Sequence, residues 1–321
     1  MATSLAVILG AGPVGLATAA EFQKRGVSVR FVTRSGKPVT LPGATQPIET
    51  RQADASDAVA LARAAEGATI LVHAVGLPYP QWAVGLPPLQ DAVLQVAEKT
   101  GAVVVFVENL YSYDASTLPL TEKTAEVPPT RKGALRLKLS QQWLAQHQAG
   151  KVKAVSVRAS DYFGPGATRS GNSHFGSRFF PGFEAGKSVA FLGSADAKHC
   201  YTYLPDYARA LADVALTPDA WGQVWICPSV GPLTAREMTA QFCQVAQIAV
   251  KVGTLPKILL QGLGLFDAMI RELGEMLYQF DRPFTLDASA FEARFGWKAT
   301  PVEVAVADTW KAHTQAANNH S

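Results

Sequence analysis

The stretch VILGAGPVGLATAAEF, residues 7–22, limits the folds open to this chain more than any other. Gly10, Gly12 and Gly15 stand in a G-x-G-x-x-G frame that follows an apolar run, LAVIL at 5–9, and leads into a helical pattern. Each glycine answers a separate need. The first permits a tight turn, the second lets the backbone approach a pyrophosphate, and the third lets the helix pack close to the sheet. The free N–H groups and positive dipole end at the helix start would face the phosphates. Gly10, Gly12, Pro13, Val14 and Gly15 are therefore the candidate phosphate-binding residues. The motif alone is weak evidence. Placed between a strand and a helix, with a second strand from residue 27, it is read as a dinucleotide loop.

The same rhythm continues through the first half of the chain. LAVIL (5–9), VSVRFV (27–32), TILVHA (69–74), AVVVFV (102–107) and KAVSVRA (153–159) read as short buried strands, and IETRQAD (48–54) as a weaker one. PVGLATAAEFQKRG, SDAVALARAAEG and PPLQDAVLQVAEKTG between them carry apolar residues at helical spacing and end in a glycine suited to a helix stop. Repeated β–α units predict an α/β protein: a Rossmann-type doubly wound parallel sheet with a smaller C-terminal substrate-binding lobe. After residue 160 the segment DYFGPGATRSGNSHFGSRFFPGFEAGK reads as loops over a pocket, followed by helices near 205–216, 234–247 and 256–280. The expected division is 1–160 with parts of 188–230 for the dinucleotide domain, and 161–187 with 231–321 for the substrate lobe.

Composition sets the class. Among 321 residues, 48% are hydrophobic and 17% charged, which suits a compact globular chain. Lys and Arg number 29 against 26 acidic residues, too even a balance to argue for nucleic acid. Cys200, Cys227 and Cys243 are too few and too far apart for a disulfide framework or a zinc site, so no metal is expected. The first apolar run passes straight into the glycine turn and reads as a strand rather than a signal peptide. The longest apolar stretch, LPKILLQGLGLFDAMI at 255–270, is broken by Lys257, two glycines and Asp267, so no membrane span is expected and the chain is placed in the cytoplasm.

The choice of dinucleotide turns on the end of the second strand. An NAD site carries an acid there for the ribose 2′-hydroxyl, but this strand runs VRFVTRSGK. Thr33 stands near the acid's place, followed by Arg34, Ser35 and Lys37. An arginine pairs with a 2′-phosphate, so NADP is favoured over NAD. The missing acid argues equally against FAD.

Several further motifs, in order along nearly the whole chain, resemble the extended short-chain dehydrogenase/reductase group, the NAD-dependent epimerase/dehydratase family, in an atypical branch. They are ADASDAVALARAAEGATILVHAVG, VRASDYFGPG (157–166), HCYTYLPDYARAL (199–211) and FTLDASAFEARFGWKATPVEVAVADT (284–309). The resemblance implies that Asp54 sits at the adenine ring and that Ala74, Val75 and Gly76 line the cofactor. It also allows a homodimer, built in that family from two helices of each subunit. The departures are in the glycine loop, G-x-G-x-x-G here where ordinary extended members carry G-x-x-G-x-x-G, and in the catalytic positions. The family's Ser–Tyr–Lys triad would place its Ser at Glu108 or Asn109, its Tyr at Ala134 and its Lys at Lys138. The resemblance thus keeps a lysine for the nicotinamide ribose and removes the hydroxyl that relays the proton.

The stretch ENLYSYD offers Tyr111 and Tyr113 as replacements, just past a strand end where open α/β sheets bind ligands. Tyr113 matches a pocket-lining position of the family. Asp161, in place of the family's Asn, could act as an acid if burial raised its pKa. Candidate substrate-binding residues are Tyr79, Trp82, Tyr113, Tyr162, His174, Phe175 and Arg178, with Phe163 and Phe179 as further walls. The aromatic set favours a small apolar or aromatic carbonyl or alcohol, reduced or oxidised with NADP. Two alternatives stay open: an NAD(P)-dependent epimerase or dehydratase of a sugar or nucleotide sugar, and a non-catalytic NADP-binding redox sensor.

Overall fold

The computed structural model describes residues 4–41, 44–171, 173–255 and 268–318. All six expected strands of the first half form. They are β1 (Leu5–Leu9), β2 (Ser28–Thr33), β3 (Glu49–Gln52), β4 (Ile70–His73), β5 (Val103–Glu108) and β6 (Lys153–Arg158). A later strand, β10 (Val224–Ile226), completes a seven-stranded sheet in the order β10-β6-β5-β4-β1-β2-β3. Every neighbouring pair from β6 to β3 runs parallel. The chain builds outward from β1 to β3, then crosses back to start β4 on the other side of β1. That reversal puts the switch point, where such sheets hold ligands, between β1 and β4.

The strands form where they do because both sheet faces are covered. β4 and most of β1, β5 and β6 are buried residue after residue, so they read as apolar runs rather than alternating ones. β3 is the edge strand and stays polar and half-exposed, which explains its weak signal. Helices α1 (Pro13–Lys24), α2 (Ala58–Ala64), α3 (Trp82–Thr100) and α4 (Arg131–Gln148) connect or follow the strands. Asp57 caps α2 by accepting from the N–H groups of Val59 and Ala60. Gly101 ends α3 at φ +72°, its N–H on Ala97 O, as a left-handed helix stop requires. The core here includes Val7, Leu9, Leu71, Val93, Val104 and Trp143.

The chain divides into two compact units. The first comprises Met1–Asn109, Ala134–Arg158 and Tyr207–Trp225, and the second Leu110–Gly133, Ala159–Asp206 and Ile226–Ser321. The expected boundary therefore moves: Leu110–Gly133, assigned from sequence to the dinucleotide domain, belongs to the second unit. The reason is its pairing. The Leu120 N–H donates to Thr285 O, the Asp287 N–H to Leu120 O, and the Tyr278 hydroxyl to Tyr113 O.

The second unit holds a three-stranded sheet of β7 (Tyr162–Phe163), β9 (His199–Tyr203) and β11 (Val230–Leu233). A parallel pair, β8 (Val189–Leu192) and β12 (Val252–Leu255), lies beside it in the same unit. Its core is largely phenylalanine: Phe163, Phe175, Phe179, Phe180, Phe183 and Phe242 are buried together. The helix α7 (Ala235–Ala246) starts with a reciprocal capping box between Thr234 and Glu237. The expected helix at 256–280 and the apolar stretch at 255–270 fall partly outside the described residues; within them, helices run Ala268–Gly274 and Tyr278–Asp281. Among the described residues no helix is long and apolar enough to cross a membrane. Cys200 and Cys227 are buried and all three cysteines are free thiols.

Candidate functional site

The glycine loop separates into two kinds of glycine. Gly10 has φ +99°, and its N–H donates to Val32 O at 3.2 Å. A Cβ on Gly10 would meet Ala74 O at 2.9 Å, and one on Gly15 would lie 2.1 Å from Gly10 O. Both are fixed by packing. A Cβ on Gly12 would meet nothing within 4 Å, so this glycine keeps open space in front of the backbone. The helix behind it has no side-chain cap and Pro13 in its first turn. The Leu16 N–H bonds Gly12 O, so the N–H groups of Val14 and Gly15 precede the first intrahelical bond. Open space, N–H donors and a helix dipole together fit a pyrophosphate. Ala74 and Val75 lie directly against Gly10, which places the 74–76 loop beside the cradle.

At the end of β2 the chain turns with its hydroxyls engaged locally. Thr33 Oγ1 accepts from the Gly36 N–H at 3.1 Å, and Ser35 Oγ from the Lys37 N–H at 3.3 Å. Gln52 Nε2 donates to Arg34 O at 3.0 Å, holding the backbone while the Arg34 side chain stays exposed. Asp54 Oδ1 accepts from the Ser56 N–H and Oγ, which holds its carboxyl below the usual range, with the Arg34 charge adding to the effect. Asp54 thus closes its own turn with one oxygen.

The next strand ends form the other part of the first unit's site. Register places Leu9, His73 and Phe106 side by side, so β1 and β4 end level with Phe106 while β5 runs two residues farther, to Glu108. His73 is buried, its ring 5.7 Å from that of Phe106. Burial, then the charge of Arg136, push its pKa down to about 4, so it is neutral at physiological pH. Glu108, in the expected serine's place, is turned into the core. Its carboxylate accepts from Trp143 Nε1 at 3.3 Å, Ser156 Oγ at 3.0 Å and Arg158 Nε at 3.2 Å. Arg158 also donates to Ser140 Oγ, and the Tyr207 hydroxyl donates to Glu108 O and Val157 O. This network ties β5, β6, α4 and α6 (Leu204–Ala215) together and leaves Glu108 no part in a reaction. Asn109 follows it, half-buried. Tyr79 and Trp82 pack edge to face at 5.1 Å, with Trp82 Nε1 on Leu77 O, so these two expected pocket residues do form one aromatic surface.

In the second unit the expected acid–base candidates part company. Tyr113 is 1% exposed, packed in the interior rather than presented to a ligand. Tyr111 is half-buried; its carbonyl oxygen sits where a Cβ on Gly133 would be, 2.1 Å away, so only glycine fits at that helix start. Asp161 bonds His199 Nε2 at 3.0 Å, and the same nitrogen lies 3.1 Å from Ser160 Oγ. Burial alone would raise the Asp161 pKa, but the hydrogen bond and charge of His199, with His174 beyond, outweigh it and hold the carboxyl low. Asp161 is therefore an anion, not the acid expected from burial.

Both ring nitrogens of His174 are buried without a hydrogen bond, and burial pushes its pKa down to about 4. They line a cavity with Ser194, His199, Tyr201 and Gln279 of about 10 Å³, room for a single water. Tyr162 bonds Ser170 Oγ at 3.3 Å. Phe163, Phe175 and Phe179 are core, not pocket wall: Phe175 stacks on Phe242 at 5.5 Å. Arg178 is exposed and donates to Gly171 O.

The sequence pattern of the NAD dependent epimerase/dehydratase family matches residues 6–225. The chain belongs to that family. No curated protein sequence matches it. Among solved structures, UDP-glucose 4-epimerase from Bifidobacterium longum, in complex with NAD+ and UDP, is 19% identical, with TM-score 0.76 over 98% of this chain and 99% of that one. The dTDP-glucose 4,6-dehydratase from Bacillus anthracis, in complex with NAD, gives 13% and 0.76 over 98% and 97%. UDP-N-acetylglucosamine 4-epimerase from Bacillus cereus gives 14% and 0.73 over 98% and 96%. At these identities the likeness is one of fold.

Within the family frame, α4 corrects the expected register. Ala134 and Lys138, the positions counted for Tyr and Lys, are both exposed. The buried stripe of α4 runs through Leu139, Ser140 and Trp143. The i, i+4 pair on that inward side is Lys132 and Arg136, two residues and about 200° round the helix from the counted pair. Lys132 is 4% exposed and ion-paired with Glu272, with Glu275 at 3.4 Å. Arg136 Nη2 donates to Val107 O at 3.3 Å, its guanidinium 5.8 Å from the Trp82 ring centre. Helical periodicity was the available signal for both; the counted spacing across the 110–130 loop hid it.

Proposed function

We propose that this family member binds NADP and exchanges a hydride with a small carbonyl or alcohol. The observation that carries the reading is the glycine cradle beside a β2 end with Thr33 in the acid's place and Arg34 exposed next to it. Gly10, Gly12, Val14 and Gly15 would hold the pyrophosphate, and Arg34 with Ser35 the 2′-phosphate. A bound nicotinamide supplies or accepts the hydride. The protein's part is to keep His73 neutral at that sheet edge, to exclude water with the Tyr79–Trp82 surface, and to move one proton at the substrate oxygen. In reduction the carbonyl carbon gains the hydride and its oxygen gains that proton. Tyr111 is the hydroxyl left for this role, because Tyr113 is buried and Asp161 is held ionised.

One set of measurements tests the reading: cofactor binding and NADPH-dependent turnover of aromatic and aliphatic carbonyls by the native chain, Arg34→Ala and Tyr111→Phe. Arg34→Ala should weaken NADPH by about 1.5–3 kcal/mol and leave NADH nearly unchanged. Tyr111→Phe should lower turnover roughly 10²–10⁴-fold at unchanged cofactor affinity. Equal losses for both cofactors would refute the NADP assignment, and full turnover by Tyr111→Phe would remove it as the proton source. A tightly retained NAD that does not exchange during turnover would instead support epimerase or dehydratase chemistry on a sugar.

A further inference from the structure

We infer that the second unit binds one water in the cavity between His174, Ser194 and Gln279, and that this molecule fixes the His174 loop beside the Asp161–His199 pair. All of these residues belong to that unit, and the rings of His174 and His199 lie 6.2 Å apart. The walls of the cavity are held by bonds of their own. The Ser194 N–H donates to Phe280 O at 2.9 Å, which joins the turn after β8 to the helix Tyr278–Asp281. Ser194 Oγ accepts from the N–H groups of Asp196 at 3.2 Å and Ala197 at 3.1 Å, so its own hydrogen is left to donate. Ser173 Oγ donates to Tyr162 O at 2.7 Å and anchors the residue before His174.

Polar atoms that bond no protein group converge on this space. Gln279 is 4% exposed, and its Nε2 is buried without a partner among the described residues. Both ring nitrogens of His174 are in the same condition, because the neighbouring rings of Phe191 at 5.1 Å and Phe280 at 4.8 Å offer no bond. A water would accept from Gln279 Nε2 and Ser194 Oγ and donate to the unprotonated His174 nitrogen. Such a set of roughly two to four partners is what holds a buried water. The ligand has to be neutral. Burial keeps His174 uncharged at physiological pH, and a cation would face the Gln279 N–H donors. An anion would share His199 with the Asp161 carboxylate, already 3.0 Å from its Nε2. A space of about 10 Å³ admits nothing larger than water.

The test is a double-mutant cycle read by urea unfolding of the native chain, His174→Phe, Gln279→Leu and the double variant, together with a high-resolution crystal structure of the native chain. With a water bound, both groups are satisfied, so either single replacement should lower the folding equilibrium constant roughly 5- to 30-fold. The double variant exchanges both partners for apolar groups and should lose no more than either single one. A dry cavity predicts the reverse, since each replacement then removes an unpaired buried group and raises stability. Native or higher stability in either single variant, or losses that multiply in the double variant, would overturn the inference. The crystal structure should show an ordered oxygen about 3 Å from Gln279 Nε2 and from one His174 ring nitrogen. An empty cavity there would overturn the inference however the variants fold.

Discussion

His73 offers a direct physical measurement at the sheet edge. Burial first, and the nearby Arg136 charge second, lower its pKa from 6.5 to about 4 in the folded chain. Above pH 6.5 the ring is neutral in both folded and unfolded chains and does not affect the balance between them. Below 6.5 the unfolded chain takes up a proton that the folded chain refuses until about pH 4. Folding stability should therefore fall as pH drops through that window, by about 1.4 kcal/mol per pH unit, and level off near pH 4 after losing about 3 kcal/mol. His73→Phe removes the titration and keeps an aromatic ring against Phe106. Urea unfolding of both proteins at pH 7, 6, 5 and 4.5 would give stabilities whose difference isolates this one group, since every other titrating side chain is common to both. The native curve should fall more steeply than that of the variant. Parallel curves across pH 7 to 4.5 would refute the reasoning.

Two other perturbations follow from the same contacts. Gly12→Ala meets no protein atom within 4 Å, so its thermal stability should stay near native while NADP+ affinity falls; unchanged affinity in calorimetry would show that the open space is not a phosphate site. Glu108→Ala takes the carboxylate away from the buried Arg158 guanidinium and should destabilise by about 3–5 kcal/mol, whereas Glu108→Leu combined with Arg158→Met should recover most of that loss; equal stabilities of the two variants in denaturant titration would contradict the ion-pair account.

The parts of the fold legible in the sequence are those dictated by backbone and burial. A parallel strand covered on both faces must be apolar throughout, so β1, β4, β5 and β6 announce themselves, while β3 at the edge does not. The glycine loop is legible for the same reason, because its constraints act within a few residues. The Glu108–Arg158 pair is not. The two residues are 50 apart in sequence and meet only because the β5–β6 register sets them opposite one another. Phe175 and Phe179 were equally opaque, because an aromatic-rich segment has one composition whether it lines a pocket or fills a core.

The register of α4 changes what chemistry the first half of the chain can hold. Counting along an irregular loop carries an error of a residue or two, and on a helix each residue turns the side chain by about 100°. The buried stripe of α4 has no such error, and it selects Lys132 and Arg136. In place of a hydroxyl and an ammonium, the helix then turns two cations inward. Lys132 is ion-paired with Glu272 and Glu275, and neither it nor Arg136 carries a hydroxyl. The reaction proposed above therefore takes its proton from a hydroxyl outside the helix. That requirement, rather than the mere absence of a tyrosine at position 134, is what turns attention to Tyr111.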